Sequence, residues 1–178
     1  MLGIGQKFPS FSLKATVSTA PKEEFITITD ETCQDAWFVM FFWPLDFTFV
    51  CPTEIAAFGD KHDAFKKLGA QLYGASIDSE FVHLAWRKDN PSLKDLPFPM
   101  LADLKHELSD SLGILDPEAG VAQRATYIVD PKGIIRFVSV TDLNVGRNID
   151  EVLRVLEALQ NGGLCPCNWQ PGQATLES

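Results

Sequence analysis

A continuous apolar run at residues 36–42, followed by a turn and a helix, constrains the fold of this chain more than any other feature. A run without polar alternation predicts a strand buried on both faces. Large apolar residues then recur at helical spacing from Pro52 to Leu68, and Gly69 marks the end of that helix. A second strand is predicted from Leu72 to Ile77. Strand, helix and strand form a βαβ unit, whose crossover is expected to be right-handed.

The remaining segments extend this unit to one α/β domain. Residues 8–30 predict a hairpin, and a second hairpin is expected around the turn at Asp130–Gly133. Further helices are predicted at Glu80–Lys88, Leu104–Leu112 and Ile149–Gln160. We therefore expect an α/β fold with a central mixed sheet flanked by helices and an N-terminal hairpin. Residues 1–160 are expected to form this domain, and residues 161–178 an extended C-terminal tail.

Composition excludes several classes of function. The 178 residues carry a formal net charge of −9 and no basic run, which argues against a nucleic-acid partner. No stretch approaches 18 uninterrupted apolar residues, so no membrane span is expected. The first residues do not resemble a secretory signal, and four cysteines are few for a disulfide-built scaffold. We therefore expect a cytoplasmic protein.

Cys51 is placed where the first predicted helix begins, directly before Pro52. Proline is favoured in the first turn of a helix, because its missing N–H would have no partner there. Unpaired backbone N–H groups and the positive end of the helix dipole then face Cys51, and both favour a thiolate over a thiol. We interpret Cys51 as an activated nucleophile. The alternative is a buried structural cysteine.

Three neighbours suit such a nucleophile. Thr48 lies three residues before Cys51 and can direct its hydroxyl at the sulfur or at a bound oxygen, while Pro44 can shield the thiolate from water. Arg124 begins a predicted strand from which it could reach the helix N-terminus, where it would stabilise the thiolate and a departing oxygen. The alternatives are a surface ion pair for Arg124 and a simple turn or cap hydroxyl for Thr48.

The other cysteines narrow the chemistry. Cys165 and Cys167 lie close together in the tail, but zinc sites use a second pair, and none is present. The chain has no C-x-x-C motif and no flavin or nicotinamide fingerprint, so no metal and no cofactor are expected. No histidine is well placed as a base for Cys51, which disfavours a Cys–His hydrolase. Oxidation of Cys51 to a sulfenic acid and condensation with a tail thiol fits this arrangement, with Cys33 as a bystander.

The residues around Cys51, and several segments elsewhere in the chain, resemble a known family. Pro44, Thr48 and Cys51 follow the spacing P-x-x-x-T-x-x-C, which resembles the active-site signature of peroxiredoxins. The segment Phe47–Glu54 looks like that of the typical two-cysteine group, and the chain is most similar to the bacterial alkyl hydroperoxide reductase type. Further matching segments are His83–Arg87, Leu101–Asp103, Arg124–Thr126, Val145–Arg147 and Leu164–Trp169.

The resemblance implies a thioredoxin-like fold and a thiol-dependent peroxidase that reduces hydrogen peroxide and organic hydroperoxides to water and alcohols, in antioxidant defence. It implies that Cys51 is the peroxidatic cysteine and that Cys165 of a second subunit is the resolving cysteine. The peroxide pocket would be completed by Pro44, Thr48 and Arg124, with Glu54 and Arg147 as supporting residues. Cys167 is an extra thiol that could share or replace the resolving role.

The resemblance also implies partners. A homodimer assembling into a ring, most often a decamer, is expected, and the disulfide would be reduced by a thioredoxin, a flavoprotein reductase or a small dithiol protein. The sequence also allows two alternatives to the peroxidase function. One is a chaperone or assembly scaffold in which Cys51 is a switch, and the other is a signalling protein that passes its disulfide to a partner.

Overall fold

The computed structural model describes residues 1–177, which fold around a seven-stranded sheet. The strands in chain order are β1 (Ser12–Thr16), β2 (Phe25–Thr29), β3 (Trp37–Phe42), β4 (Ala70–Ser76), β5 (Met100–Ala102), β6 (Leu115–Asp116), β7 (Val121–Ala122), β8 (Arg124–Val129) and β9 (Ile135–Thr141). The helices are α1 (Cys51–Asp60), α2 (His62–Lys67), α3 (Glu80–Asp89), α4 (Glu107–Leu112) and α5 (Ile149–Asn161). A 3₁₀ turn covers Asp30–Cys33, and β6 pairs only with β7.

The order of strands across the main sheet is β2-β1-β5-β4-β3-β8-β9. The neighbours β3, β4 and β5 run parallel to one another, whereas β1–β2, β1–β5, β3–β8 and β8–β9 are antiparallel pairs. The sheet is therefore mixed, and β1 and β2 form the expected N-terminal hairpin. The α/β architecture predicted from the sequence is confirmed.

Strand β3 lies at the centre of the core because both of its faces are buried. Its residues Phe38, Met40 and Phe42 pack into one apolar cluster, which includes the N-terminal hairpin. The intervening Val39 and Phe41 pack into a second cluster, which includes apolar side chains of α1, α3 and α5. This alternation is the two-residue period of a strand. It explains why the run at residues 36–42 contains no polar position.

The prediction of a single helix from Pro52 to Leu68 is wrong, because the structure has two helices that meet at Lys61. The N–H of Lys61 is shared between the carbonyls of Ala57 and Gly59, which interrupts the regular ladder of hydrogen bonds. Gly59 is a poor helix former. A Cβ atom there would lie 3.1 Å from the Leu96 side chain, so glycine permits a close approach of the loop between α3 and β5.

Helix α4 begins three residues later than expected, because its start is capped from outside the helix. The Asp103 carboxylate accepts the backbone N–H groups of Leu108 and Ser109 at 3.1 and 2.8 Å. His106 precedes the helix in a left-handed conformation with φ of 61°. The strand β5 was not predicted at all, since its three residues follow a proline-rich loop.

The chain after α5 has little regular structure. Within residues 162–177 the structure shows one isolated bridge between Leu164 and Leu176 and a buried Trp169. The division into a domain at 1–160 and a tail at 161–178 remains a prediction, and the last tail residue, Ser178, lies outside the described residues. Among residues 1–177, no helix is both long enough and apolar enough to cross a membrane.

Candidate active site

Cys51 is the first residue of α1, and its side chain is almost fully buried, with 1% of the residue exposed. Val50 precedes it without a side-chain hydrogen bond to the helix, and Pro52 supplies no N–H. The Cys51 sulfur therefore lies at the positive end of a ten-residue helix that has no side-chain cap. This setting favours negative charge on the sulfur or on an oxygen bound beside it.

Arg124 lies beside this sulfur because of the topology of the sheet. It is the first residue of β8, which is the antiparallel neighbour of β3, and α1 follows β3 in the chain. Its Nη1 donates to Cys51 Sγ at 3.3 Å and to Glu54 Oε2 at 2.7 Å, and its Nε donates to the Leu143 carbonyl at 2.7 Å. The Arg124 side chain is only 5% exposed, so it is not the surface ion pair considered as an alternative.

Glu54, one turn along α1 from Cys51, holds two arginines in place. Its buried carboxylate accepts Arg124 Nη1 on Oε2, Arg147 Nη2 on Oε2 at 3.0 Å and Arg147 Nε on Oε1 at 2.9 Å. The backbone N–H of Arg147 also donates to Oε1, at 2.9 Å. The two-pronged contact with Arg147 fixes both side chains, since guanidinium and carboxylate geometries match.

Arg147 is buried beneath the site and is held by more than its carboxylate partner. Its Nη1 donates to the Ala125 carbonyl at 2.9 Å, and its guanidinium lies 5.2 Å from the centre of the Phe41 ring. Burial lowers the pKa of Arg147 from its usual value, although Glu54 opposes that shift. The guanidinium remains protonated at neutral pH because arginine starts from a very high pKa.

The charges of this cluster do not balance without the sulfur. Two guanidiniums and one carboxylate leave a net charge of +1 among Arg124, Arg147 and Glu54. Buried charge is costly unless it is compensated. A thiolate at Cys51 supplies the missing negative charge, and so does an oxyanion formed next to it.

The two loop residues expected in the pocket have different surroundings. Pro44 lies two residues after the end of β3 and is buried. Thr48 is half-buried, and its hydroxyl donates to the Leu45 carbonyl at 2.9 Å. The Thr48 hydroxyl thus makes the turn hydrogen bond that was considered as its alternative role. Its oxygen lone pairs remain available to a further donor.

Of the tail cysteines, Cys165 contacts α5, and neither has a hydrogen bond to Cys51 within the described residues. Cys165 is half-buried with its sulfur 3.8 Å from the Ala158 carbonyl, whereas Cys167 is exposed. Both border a cleft of about 370 Å³ that is also lined by Arg154. All four cysteines of the chain are free thiols.

Cys33 lies in the other apolar cluster, away from the site. Burial raises the pKa of its thiol to about 11, so it is a poor nucleophile at neutral pH. Across residues 1–177, no group of three or more His, Cys, Asp or Glu side chains is arranged to hold a metal ion.

Sequence reasoning missed a buried polar pair next to the site. His83 of α3 contacts Asp46, in the loop before Cys51, at 2.7 Å between Nδ1 and Oδ2. Neither residue carries a pattern that identifies its partner. The available signals were the family match at His83–Arg87 and a histidine on the same helical face as the buried Trp86.

Comparison with known proteins places this arrangement in a family. Residues 4–138 match the model of the AhpC/TSA family. The chain is 52% identical to alkyl hydroperoxide reductase C of Mycobacterium tuberculosis over 186 residues, which cover 100% of this chain and 95% of that protein. It is 45% identical to a putative peroxiredoxin, YkuU, of Bacillus subtilis, with 97% of each chain covered.

Solved structures give the same result. Mycobacterium tuberculosis AhpC superimposes with a TM-score of 0.87 at 52% identity, covering 96% of this chain and 99% of that chain. The reduced 2-Cys peroxiredoxin of Plasmodium vivax superimposes with a TM-score of 0.92 at 32% identity, covering 99% and 94%. Both are peroxiredoxin folds of the thioredoxin type, so the thioredoxin-like architecture implied by the sequence motifs is confirmed.

Proposed function

The chain belongs to the AhpC/TSA family of peroxiredoxins and is a thiol peroxidase, and we propose that Cys51 is its peroxide-reducing residue. One observation carries the proposal. The Cys51 sulfur lies at the N-terminus of α1 and accepts a hydrogen bond from Arg124, inside a cluster with one uncompensated positive charge. Such a site stabilises both the attacking thiolate and the negative oxygen that leaves.

The proposed first step is attack of the Cys51 thiolate on one peroxide oxygen. An S–O bond forms while the O–O bond breaks, so the sulfur is oxidised to a sulfenic acid and the peroxide is reduced. The departing oxygen takes up a proton and leaves as water or an alcohol. Arg124 donates to that oxygen as its charge develops, while Pro44 and Thr48 border the space where the peroxide binds.

In the second proposed step a thiol of the tail resolves the sulfenic acid. The sulfur of Cys165 in a second subunit attacks the Cys51 sulfur, a disulfide forms, and the hydroxyl of the sulfenic acid leaves as water. Two cysteines can be bridged only when their Cα atoms lie about 4.4–6.8 Å apart. Because Cys51 is almost fully buried in its own subunit, we expect the first turn of α1 and the tail to loosen before this step. Cys167, two residues further on, is the candidate to share the resolving role.

The cycle closes with an external dithiol, which reduces the disulfide by thiol–disulfide exchange. We propose a thioredoxin, a flavoprotein reductase or a small dithiol protein in this role, acting in the cytoplasm. Peroxides are the substrates, and antioxidant defence is the cellular role.

A ring built from homodimers, as a decamer, is the proposed assembly. Exposed large apolar side chains in the loop before Cys51 and on α3 support self-association: Phe49 is 93% exposed, and Phe47 and Phe81 are also exposed. Exposed apolar groups of this size are typical of protein interfaces. In this assembly residues 1–160 form the domain that carries Cys51, and residues 161–178 form the tail that carries the resolving thiol to a second subunit.

Peroxide consumption in the presence of excess dithiothreitol tests the proposal. We expect catalytic turnover of hydrogen peroxide and of an organic hydroperoxide by the wild-type protein and by a Cys33→Ser variant, and none by Cys51→Ser. Consumption of a single equivalent followed by arrest would instead indicate a redox-switched scaffold. Full turnover by Cys51→Ser would refute the role of Cys51.

A further inference from the structure

A buried, hydrogen-bonded pair of side chains lies behind the loop that leads to Cys51. His83 Nδ1 is 2.7 Å from Asp46 Oδ2, and the side chains of the two residues are 0% and 1% exposed. Asp46 Oδ1 accepts the indole N–H of Trp43 at 2.8 Å. This pair ties the loop after β3 to helix α3, a link of 37 residues along the chain.

The partners of His83 define where its protons lie. His83 Nε2 is 3.1 Å from the Leu101 carbonyl of β5, which can only accept, so Nε2 carries a proton. A second proton lies between His83 Nδ1 and Asp46, because an unprotonated Nδ1 would face a carboxylate. The charged groups that face Asp46 are His83 from α3 and Asp78 from the segment after β4. Burial raises the pKa of Asp46, and the nearby Asp78 adds to that shift.

The backbone of the same loop is anchored at Asp46 and strained one residue later. The N–H of Asp46 donates to Asp78 Oδ2 at 2.9 Å, and Asp78 Oδ2 also accepts the Ser76 hydroxyl at 2.8 Å. Phe47 follows with φ of 56°, in the left-handed region that a bulky side chain rarely adopts. Such a conformation persists only where neighbouring contacts determine it. The anchor at Asp46 is the contact directly before this strained residue.

We propose that Asp46 and His83 are positioning residues for the peroxide reaction: their hydrogen bond holds the loop from Pro44 to Val50 in the conformation that places Thr48 and Cys51 for attack. The inference rests on the proposed peroxidase function and deepens it. Neither residue has a described contact with the Cys51 sulfur, so both act through the loop. Misplacing a reacting group by about 1 Å can cost on the order of a hundredfold in rate.

Two variants at Asp46 separate positioning from charge. Asp46→Asn retains the shape, an oxygen for Trp43 and an N–H for a neutral His83, whereas Asp46→Ala removes the link. Each is made in a Cys165→Ser, Cys167→Ser background, so that only the first oxidation of Cys51 is measured. The readout is the rate constant for dimedone-trappable sulfenic acid after mixing the reduced protein with hydrogen peroxide, followed by mass spectrometry.

Asp46→Ala is expected to slow this step about tenfold to a hundredfold, and Asp46→Asn to stay within about threefold of the parent. Asp130→Ala is the matched control. It removes another nearly buried carboxylate, which accepts two backbone N–H groups at the end of β8 opposite to Arg124, and should leave the rate unchanged. An equal rate for Asp46→Ala and the parent would overturn the inference. So would an equal loss in Asp46→Ala and Asp46→Asn.

Unfolding midpoints identify a variant that has lost its fold. If Asp46→Ala fails to fold, the same comparison is made at His83, where His83→Leu removes the donor and His83→Asn retains one near Nδ1. His83→Leu is expected to slow the oxidation of Cys51 as Asp46→Ala does, and His83→Asn to stay close to the parent. Equal rates for His83→Leu and the parent, or equal losses in the two variants, would overturn the inference. A parent protein that forms no sulfenic acid at Cys51 would refute the proposed function itself, which is a different outcome.

Discussion

Arg124 Nη1 lies 3.3 Å from Cys51 Sγ, although 73 positions separate the two residues in the chain. The contact exists because β8 is the neighbour of β3, so that the first residue of β8 meets the start of α1. The same nitrogen donates to Glu54 at 2.7 Å, which holds it in place. One guanidinium thus joins the nucleophile to the charged cluster beneath it.

Removal of the Arg124 guanidinium should slow peroxide reduction strongly. We expect Arg124→Gln to lower the rate constant of Cys51 oxidation by about 10²–10³, the usual effect of losing one donor to a developing negative oxygen. Stopped-flow mixing of the reduced protein with hydrogen peroxide gives this rate. Arg136→Gln is the control, because Arg136 is half-exposed and pairs with Asp130 at the other end of β8. A loss of less than threefold in Arg124→Gln would contradict the role given to Arg124.

Neutralisation of Glu54 should destabilise the fold more than that of a surface glutamate. Glu54→Gln removes the carboxylate that two buried guanidiniums share, and breaking a buried pair costs about 3–5 kcal/mol in the free energy of unfolding. Glu151→Gln is the matched comparison, since its pair with Arg154 is partly exposed and such pairs contribute about 0–1 kcal/mol. Urea unfolding of the reduced proteins measures both. Similar losses of unfolding free energy in the two variants would show that the buried cluster stabilises the fold no more than a surface ion pair does.

Cys33 should resist modification while the protein is folded. Its thiol, with a pKa raised to about 11, is almost wholly protonated at pH 8, with a thiolate fraction of about 0.1%. Its reactivity should rise about tenfold with each pH unit and level off only as the pH passes 11. We expect iodoacetamide at pH 8 to label the exposed Cys167 at least tenfold faster than Cys33, as measured by peptide mass spectrometry. Labelling of Cys33 at the rate of Cys167 in the folded protein would contradict this account.

Trp169 should hold the tail against α5. Its indole is buried, its indole N–H donates to the Gln173 carbonyl at 3.0 Å, and its own carbonyl accepts Arg154 Nη1 at 3.0 Å. Trp169→Ala should therefore raise cleavage within residues 162–177 by a dilute protease about tenfold, through local opening. Leu164→Ala, at an exposed apolar position of the same segment, is expected to have little effect. Unchanged cleavage in Trp169→Ala would show that the tail is held by other contacts.

Local patterns in the sequence determine most of the fold. The apolar run that became β3, the helix start at Cys51 and the turn at Asp130–Gly133 each follow from neighbours within a few residues, and all were predicted. The break at Lys61 was not, because it depends on how closely the distant Leu96 approaches Gly59. The short strand β5 likewise depends on its neighbours β1 and β4 rather than on its own three residues.

In the candidate site, too, some features follow from local sequence and others depend on contacts between distant residues. Cys51 was predicted from local sequence and Arg124 from its place at the start of a predicted strand, while the family resemblance supplied Glu54 and Arg147 as further residues of the site. No local pattern shows that one carboxylate binds both arginines, since Glu54 and Arg147 are 93 positions apart. The pair between Asp46 and His83 was missed for the same reason. Hydrogen bonds between distant elements become visible only when the sheet places those elements side by side.

The most direct test of the peroxidase cycle is a denaturing, non-reducing gel of the reduced protein after about one equivalent of hydrogen peroxide. The account predicts a shift of the 19.7 kDa chain to about twice its mass. The shift should persist in Cys33→Ser and disappear in Cys51→Ser. It should be lost in Cys165→Ser if that thiol alone resolves the sulfenic acid, and kept if Cys167 replaces it. A wild-type protein that stays at the mass of one chain, or a shift that survives in Cys51→Ser, would contradict the proposed intersubunit disulfide at Cys51.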